Sequence, residues 1–401
     1  MKNPQSNVTE ILFDAVARQA EIFLRSGESM TLPLPSLPVY KDSGVRRAVY
    51  SFANNTLIAT LARGEEATIE IQPSGVSDPR LGRLVIYLDQ CHWSALSRHL
   101  YNPTDARGVD KKAAETVIEL VRQKKIILPI SSGHFIETTV TYNDKRQNIA
   151  ATMLEFSRGW QMRHPFRIWR NEIATVFSMR YGNSEHYSPP VFTLEPEALS
   201  RKLQLSTKKG FDEDLPEDFD HLLRCLTAAI SNYDILMDPN RIERGEITKW
   251  VEHFQEVSKM FKDEGLNAKK RYATTKGLVV IDLINEVQIA AAETNTSRTQ
   301  LEDWFGGKYQ EDLSKMPSLG LYADALNVRL SNSNTKWVDN DFIDILFLTC
   351  ATAYADLVVG EKAATNYLSR AWGDRPASAP VVKNLSELVD ILPALLNPTD
   401  S

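Results

Sequence analysis

The chain has 401 residues, enough for two or three structural units at roughly 100–200 residues each. Its apolar share of 43% and charged share of 24% are ordinary for a globular protein, and no apolar stretch approaches the ~20 residues of a membrane-spanning helix. The net charge of −6 argues mildly against the basic footprint of a nucleic-acid binder, although acids gathered at a metal site would contribute to the same deficit.

The N-terminus, MKNPQSNVTEILFDAV, lacks the basic start, apolar core and cleavage site of a secretory signal. Cys91, Cys225 and Cys350 are odd in number and far apart, which fits a reducing, cytoplasmic compartment better than a disulfide framework or a zinc site. Residues 7–26 carry Leu12, Val16, Ala20, Phe23 and Leu24 at helical spacing and predict a helix capped by Asn7 or Thr9. Residues 1–80 therefore read as an N-terminal extension with a helical start. Its remainder is mixed, with the Pro-rich TLPLPSLPVY and a β-leaning stretch at 67–71.

Residues 81–144 predict a short strand at 84–88, continuous and apolar as if buried on both faces, and an amphipathic helix at 111–123. A strand at 126–130 and a further helix follow. Residues 145–335 predict helices at 146–158, 166–180, 217–236, 245–264, 278–293 and 321–330, with breaks at 181–190, 206–216 and 305–320. Residues 336–401 return to alternation: helix 342–354, strand 355–359, helix 362–371, strand 380–383 and helix 385–396. The expected class is α/β, a parallel sheet flanked by helices and split by a large all-helical insertion.

Four carboxylates fall where this pattern turns. Asp89 ends the 84–88 run, Glu137 lies just after the 126–130 strand, Asp344 opens the apolar run 344–348, and Glu361 follows strand 355–359 across Gly360. In an open α/β sheet, residues at the carboxyl ends of neighbouring strands converge on one crevice. Acids converging there repel one another unless a hard cation lies between them, so the set reads as a divalent-metal site. A lone strand-end Asp is more often the cap of the next helix; the ordered set points to chemistry.

Three stretches carry a resemblance to a known family: VIYLDQCHWSAL with Asp89, ILPISSGHFIET with Glu137, and DNDFIDILFLTCATAYADLVVGEK with Asp344 and Glu361 seventeen positions apart. Over residues 83–142 and 339–396 the chain resembles the PIN-domain family of metal-dependent nucleases. The resemblance implies a PIN-like Rossmannoid sheet, Mg²⁺ or Mn²⁺ as cofactor, and Asp89, Glu137, Asp344 and Glu361 as catalytic metal ligands, direct or through water. It implies an endonuclease hydrolysing phosphodiester bonds of single-stranded RNA, with DNA as the other substrate, in a toxin-like or defence-associated role. A homodimer and an inhibitory partner protein are further expectations of the same kind. Two positions depart from the pattern. The final acid is usually Asp and here is Glu361, and Gln90 stands where Thr, Ser or Asn is common. Neither departure removes a carboxylate.

Other residues stay open between two readings. Asp341, three before Asp344, is a ligand, an acid behind the ligands, or a charge favoured at a helix start. Ser131 and Ser132 orient Glu137 or contact phosphate, or else cap a helix; His92 and His134 read first as partly buried helix residues. Arg158, Arg163, Arg167 and Arg170 interleave with Trp160, Phe166 and Trp169, a pattern suited to phosphates and unpaired bases. The competing reading is an apolar helix face after Pro165 with the arginines on its solvated side. Lys269, Lys270, Arg271 and Lys276 read first as a solvated face.

There is no Gly-rich phosphate loop, HExxH, G-x-S-x-G or dinucleotide fingerprint, and no Asp two residues after Asp89 as a phospho-aspartate phosphatase needs. The alternatives kept are a catalytically decayed PIN-like module that binds nucleic acid or protein, and a structure-specific DNA nuclease, which Asp341 as an extra acid would suit.

Overall fold

A computed structural model describes residues 8–34, 45–61, 64, 66–72, 78–104, 108–182, 186–201, 217–238, 245–372 and 379–397. Asn7, the expected break at 206–216 and part of the Pro-rich stretch lie outside the described residues.

The described chain opens on strands, and the helix expected over 7–26 is corrected. Strands β1 (Val8–Asp14), β2 (Gln19–Leu24), β3 (Ser29–Pro33), β4 (Val45–Ser51), β5 (Thr56–Leu61) and β6 (Glu66–Glu70) form an antiparallel sheet in the order β3-β2-β1-β4-β5-β6. The Asp14 carboxylate accepts the N–H groups of Val16 and Ala17 at 2.9 and 2.8 Å, and Arg18 takes a left-handed φ of 53°. That turn folds Ala20 back opposite Phe13. The helical spacing of Leu12, Val16 and Ala20 thus runs across a hairpin, while the two-residue period of Ile11, Phe13 and Ala15 fills the core.

The remaining elements are β7 (Leu84–Leu88), α1 (Gln90–Tyr101), α2 (Gly108–Arg122), β8 (Ile126–Ile127), α3 (Ser132–Thr138), α4 (Asn143–Ser157), β9 (Gln161–Met162), α5 (Pro165–Tyr181), β10 (Phe192–Thr193), α6 (Glu217–Met237) and α7 (Gly245–Asp263). They continue with α8 (Ala268–Asp282), α9 (Ile284–Glu293), α10 (Arg298–Asp303), α11 (Tyr309–Lys315), α12 (Pro317–Leu330), α13 (Asp339–Tyr354), β11 (Leu357–Val359), α14 (Lys362–Trp372), β12 (Val381–Val382) and α15 (Leu385–Leu396). The stretch expected to be all-helical therefore holds the antiparallel pair β9 and β10. The helix expected at 278–293 divides at Leu283, and the break expected at 305–320 contains a π turn at Trp304–Lys308, α11 and the start of α12.

The protein is mixed α/β and consists of two compact units, each built from three pieces of chain. The first is Met1–Arg83, Trp93–Met162 and Phe192–Ile242; the second is Leu84–His92, Arg163–Val191 and Glu243–Ser401. The borders expected at 80, 144 and 335 do not coincide with these, and residues 145–335 are divided between both units.

In the first unit the antiparallel sheet buries Ile11, Phe13, Ala48, Tyr50 and Leu57 against Leu222, Leu223, Leu226 and Ile230 of α6. Glu70, at the end of β6, gathers the neighbouring loops. Its carboxylate accepts from Arg83 at 3.1 and 2.8 Å, from Arg158 at 2.8 Å and from the Trp160 indole at 3.0 Å. Burial penalises its charge, but these donors outweigh that cost and hold its pKa at about 2. In the second unit, β12, β11 and β7 lie side by side and parallel, with Leu357, Val358 and Val359 facing Ile86, Tyr87 and Leu88. Both strands are buried apolar runs, as a sheet covered on both faces requires. Asp356 sets the register by accepting the Val85 N–H at 2.7 Å. Below it, the fully buried Glu172 of α5 accepts from Ser318 and Leu319 at the start of α12 and from the Tyr354 hydroxyl at the end of α13. Among the described residues no helix is long and apolar enough to cross a membrane.

Candidate functional site

Asp89 and Glu361 stand at the carboxyl ends of adjacent parallel strands. The register that pairs Val359 with Leu88 brings the Asp89 N–H to the Val359 carbonyl at 2.8 Å. The Asp89 carboxylate then accepts the N–H of Gln90 at 2.8 Å and that of Glu361 at 3.2 Å. Asp89 therefore caps α1 and also ties the two strand ends together. Its side chain is 7% exposed. Burial raises its pKa above the usual carboxylate range, and the two backbone donors only partly offset this. Glu361, by contrast, is exposed.

Asp344 approaches the same strand end along α13. Leu348 Cδ1 lies 3.8 Å from where a Cβ on Gly360 would stand. Asp344 is one turn earlier on that face of α13. Asp344 is half-buried.

Helix α13 starts at Asp339, ahead of the expected 342, so Asp341 and Asp344 do share one helix face. Asp341 is committed elsewhere: its Oδ2 accepts from Arg329 at 2.8 Å and from the Val338 N–H at 3.0 Å. Arg329 has no exposed surface and lies 4.4 Å over the Trp337 ring. These are the contacts of a helix-start acid neutralising a buried guanidinium.

Glu137 belongs to the first unit, half-buried in the last turn of α3. Ser131, not Ser132, is the N-cap of that helix; its N–H donates to His134 Nδ1 at 3.0 Å, and the His134 ring packs edge-on against Trp93. His134 is thus a buried capping residue. The Ser132 hydroxyl is buried and makes no hydrogen bond among the described residues.

The four arginines are not on a solvated side. Arg163 and Arg167 are buried, Arg158 is paired with Glu70, and Arg170 binds the buried Glu286 at 2.8 and 2.6 Å. Trp160, Phe166 and Trp169 are core residues, so none of the three rings is open to a base in this arrangement. Sequence spacing read the segment as an amphipathic helix with free cations because the acids that hold two of them lie 88 and 116 residues away. In the basic run 269–276, Lys276 is buried and donates to the Gln310 carbonyl.

One residue read first as a partly buried helix residue has a buried ring nitrogen unpartnered among the described residues. His92, in the first turn of α1, is 8% exposed, and its Nε2 is buried with no hydrogen-bond partner among the described residues. Burial lowers its pKa, opposed by the Gly360 backbone and the Glu361 carboxylate beside the ring. A buried carboxylate whose charge is under-compensated and an orphan imidazole nitrogen at the same strand ends both fit a divalent cation. Among the described residues no three His, Cys, Asp or Glu are gathered tightly enough to close round an ion as they stand. No family model, curated protein or solved structure matches this chain.

Proposed function

We propose that the protein is a divalent-metal-dependent endonuclease of PIN-like type acting on single-stranded RNA. The observation that carries this reading is the placement of buried Asp89 and exposed Glu361 at neighbouring carboxyl ends of parallel strands, with Asp344 one helical turn from the same turn of chain. Ligand sites of open α/β sheets occupy such positions. Asp89, Asp344 and Glu361 would hold Mg²⁺ or Mn²⁺, which supplies an activated water and stabilises charge on the leaving oxygen. The backbone N–H groups of Gln90 and Glu361 favour the charged form of Asp89 and fix its rotamer. Glu137 enters on the sequence resemblance, and its part is measured separately with Glu137→Gln.

The test is cleavage of a labelled single-stranded RNA pool by the full chain in Mg²⁺ or Mn²⁺. Asp89→Asn is expected to lower the rate at least about 100-fold, the loss typical when one charged element of a catalytic site is removed, with an unchanged circular dichroism spectrum. Equal cleavage by Asp89→Asn, or no cleavage of RNA by the wild type, overturns the proposal. Cleavage of branched DNA alone points to the structure-specific nuclease, and RNA retention without cleavage to a binding module.

A further inference from the structure

We infer that His92 is a nitrogen ligand of the cation held by Asp89 and Glu361, so that the site takes Mn²⁺ in preference to Mg²⁺. The inference rests on the metal-dependent reading above and extends it to a residue and an ion. Asp89 caps α1 and His92 occupies its first turn, so both side chains leave the same end of the helix. A histidine that binds a metal ordinarily gives its other ring N–H to a carbonyl or carboxylate, which fixes the ring and leaves one nitrogen free for the ion. In His92 the Nε2 atom is buried and without a hydrogen-bond partner among the described residues, and the ring lies near the Gly360 backbone. A buried nitrogen with no partner is costly, and native proteins rarely leave one without a water, an ion or a functional reason. The Glu361 carboxylate lies on the same side, exposed and on a side chain long enough to turn inward. Carboxylates alone suit Mg²⁺ and Mn²⁺ alike, whereas an imidazole donor favours first-row transition ions.

The experiment uses the full chain and reads the ion directly. Mn²⁺ and Mg²⁺ affinities are measured by calorimetry for wild type, His92→Gln and Asp89→Asn, and the Mn²⁺-bound forms are examined by electron spin echo modulation. Nitrogen modulation is expected in the wild type, shifted by ¹⁵N-histidine labelling and lost in both variants. His92→Gln should weaken Mn²⁺ at least about tenfold, with a much smaller change for Mg²⁺. Should His92→Gln fail to fold, the labelled wild type and Asp89→Asn decide the matter alone. Mn²⁺ binding that needs Asp89 but shows no histidine modulation overturns the inference and leaves the metal site standing. A wild type that binds neither ion overturns both.

Discussion

Glu70 shows how a single acid organises distant chain. It accepts from Arg83, Arg158 and the Trp160 indole, and both arginines and the acid are largely shielded from water. Its folded pKa of about 2 lies below the ordinary glutamate value of 4.5, so its contribution to stability is fully present above pH 4.5 and is lost as pH falls toward 2. Glu70→Gln is expected to cost about 3 kcal/mol near neutral pH, from the size of the shift and the two stranded guanidinium groups. Urea unfolding at pH 7 and again at pH 3 checks this, and the gap between variant and wild type should narrow at the lower pH. A gap that stays constant would show that Glu70 acts through packing. The same scale separates the two acids of α13. Asp341→Ala removes the partner of the buried Arg329 and should lower the melting temperature with or without Mn²⁺. Asp344→Asn should leave the metal-free melting temperature near the wild-type value and reduce cleavage instead. Loss of stability in Asp344→Asn and none in Asp341→Ala would reverse these assignments. The strand-end positions of Asp89 and Glu361 and the helical position of Asp344 are legible because each follows or opens a segment with strong local periodicity. The neutralisation of Arg158, Arg170 and Asp341 was not, since their partners are set by tertiary packing and no local pattern announces them.

At the scale of elements, the junction of α4 with β9 is a close turn against β6. Arg158 and Gly159 both take left-handed backbone, with φ of 51° and 86°. A Cβ on Gly159 would stand 2.7 Å from Ile69 Cγ2 of β6. Gly159→Ala therefore meets both conformational strain and a clash, and should destabilise the protein by about 1–3 kcal/mol. Thermal unfolding of Gly159→Ala beside Gly182→Ala, which is also left-handed but faces open space, isolates the clash. Equal losses in the two would remove the steric part of the argument. The strand at 84–88 and the helices expected at 245–264 and 385–396 follow their expected ranges closely, because each run sits between clear turns. The amino-terminal sheet did not follow, because its hairpin placed apolar residues at intervals that imitate a helix. The turn geometry at Asp14 and Arg18 decides the matter.

At the scale of the whole molecule, the chain passes between its two units five times, at 83/84, 92/93, 162/163, 191/192 and 242/243. Local periodicity cannot show this, since each helix of 145–335 has the same pattern whichever unit it joins. Two helices of that stretch pack their apolar faces on chain outside it. Helix α6 packs on the amino-terminal sheet of the first unit, and α7 sets Phe254 and Trp250 against Phe342 of α13 in the second. A fragment of residues 145–335 would expose both of these apolar faces, and a hydrophobic face without its counterpart cannot offset the entropy of ordering the chain. The fragment is expected to show reduced helix content and no cooperative melting transition, while the full chain melts cooperatively. Circular dichroism during heating and one-dimensional proton spectra of the fragment are the measurements. A sharp transition with dispersed methyl signals would show instead that 145–335 is an independent domain inserted into an α/β protein, and the division into two interleaved units would have to be withdrawn.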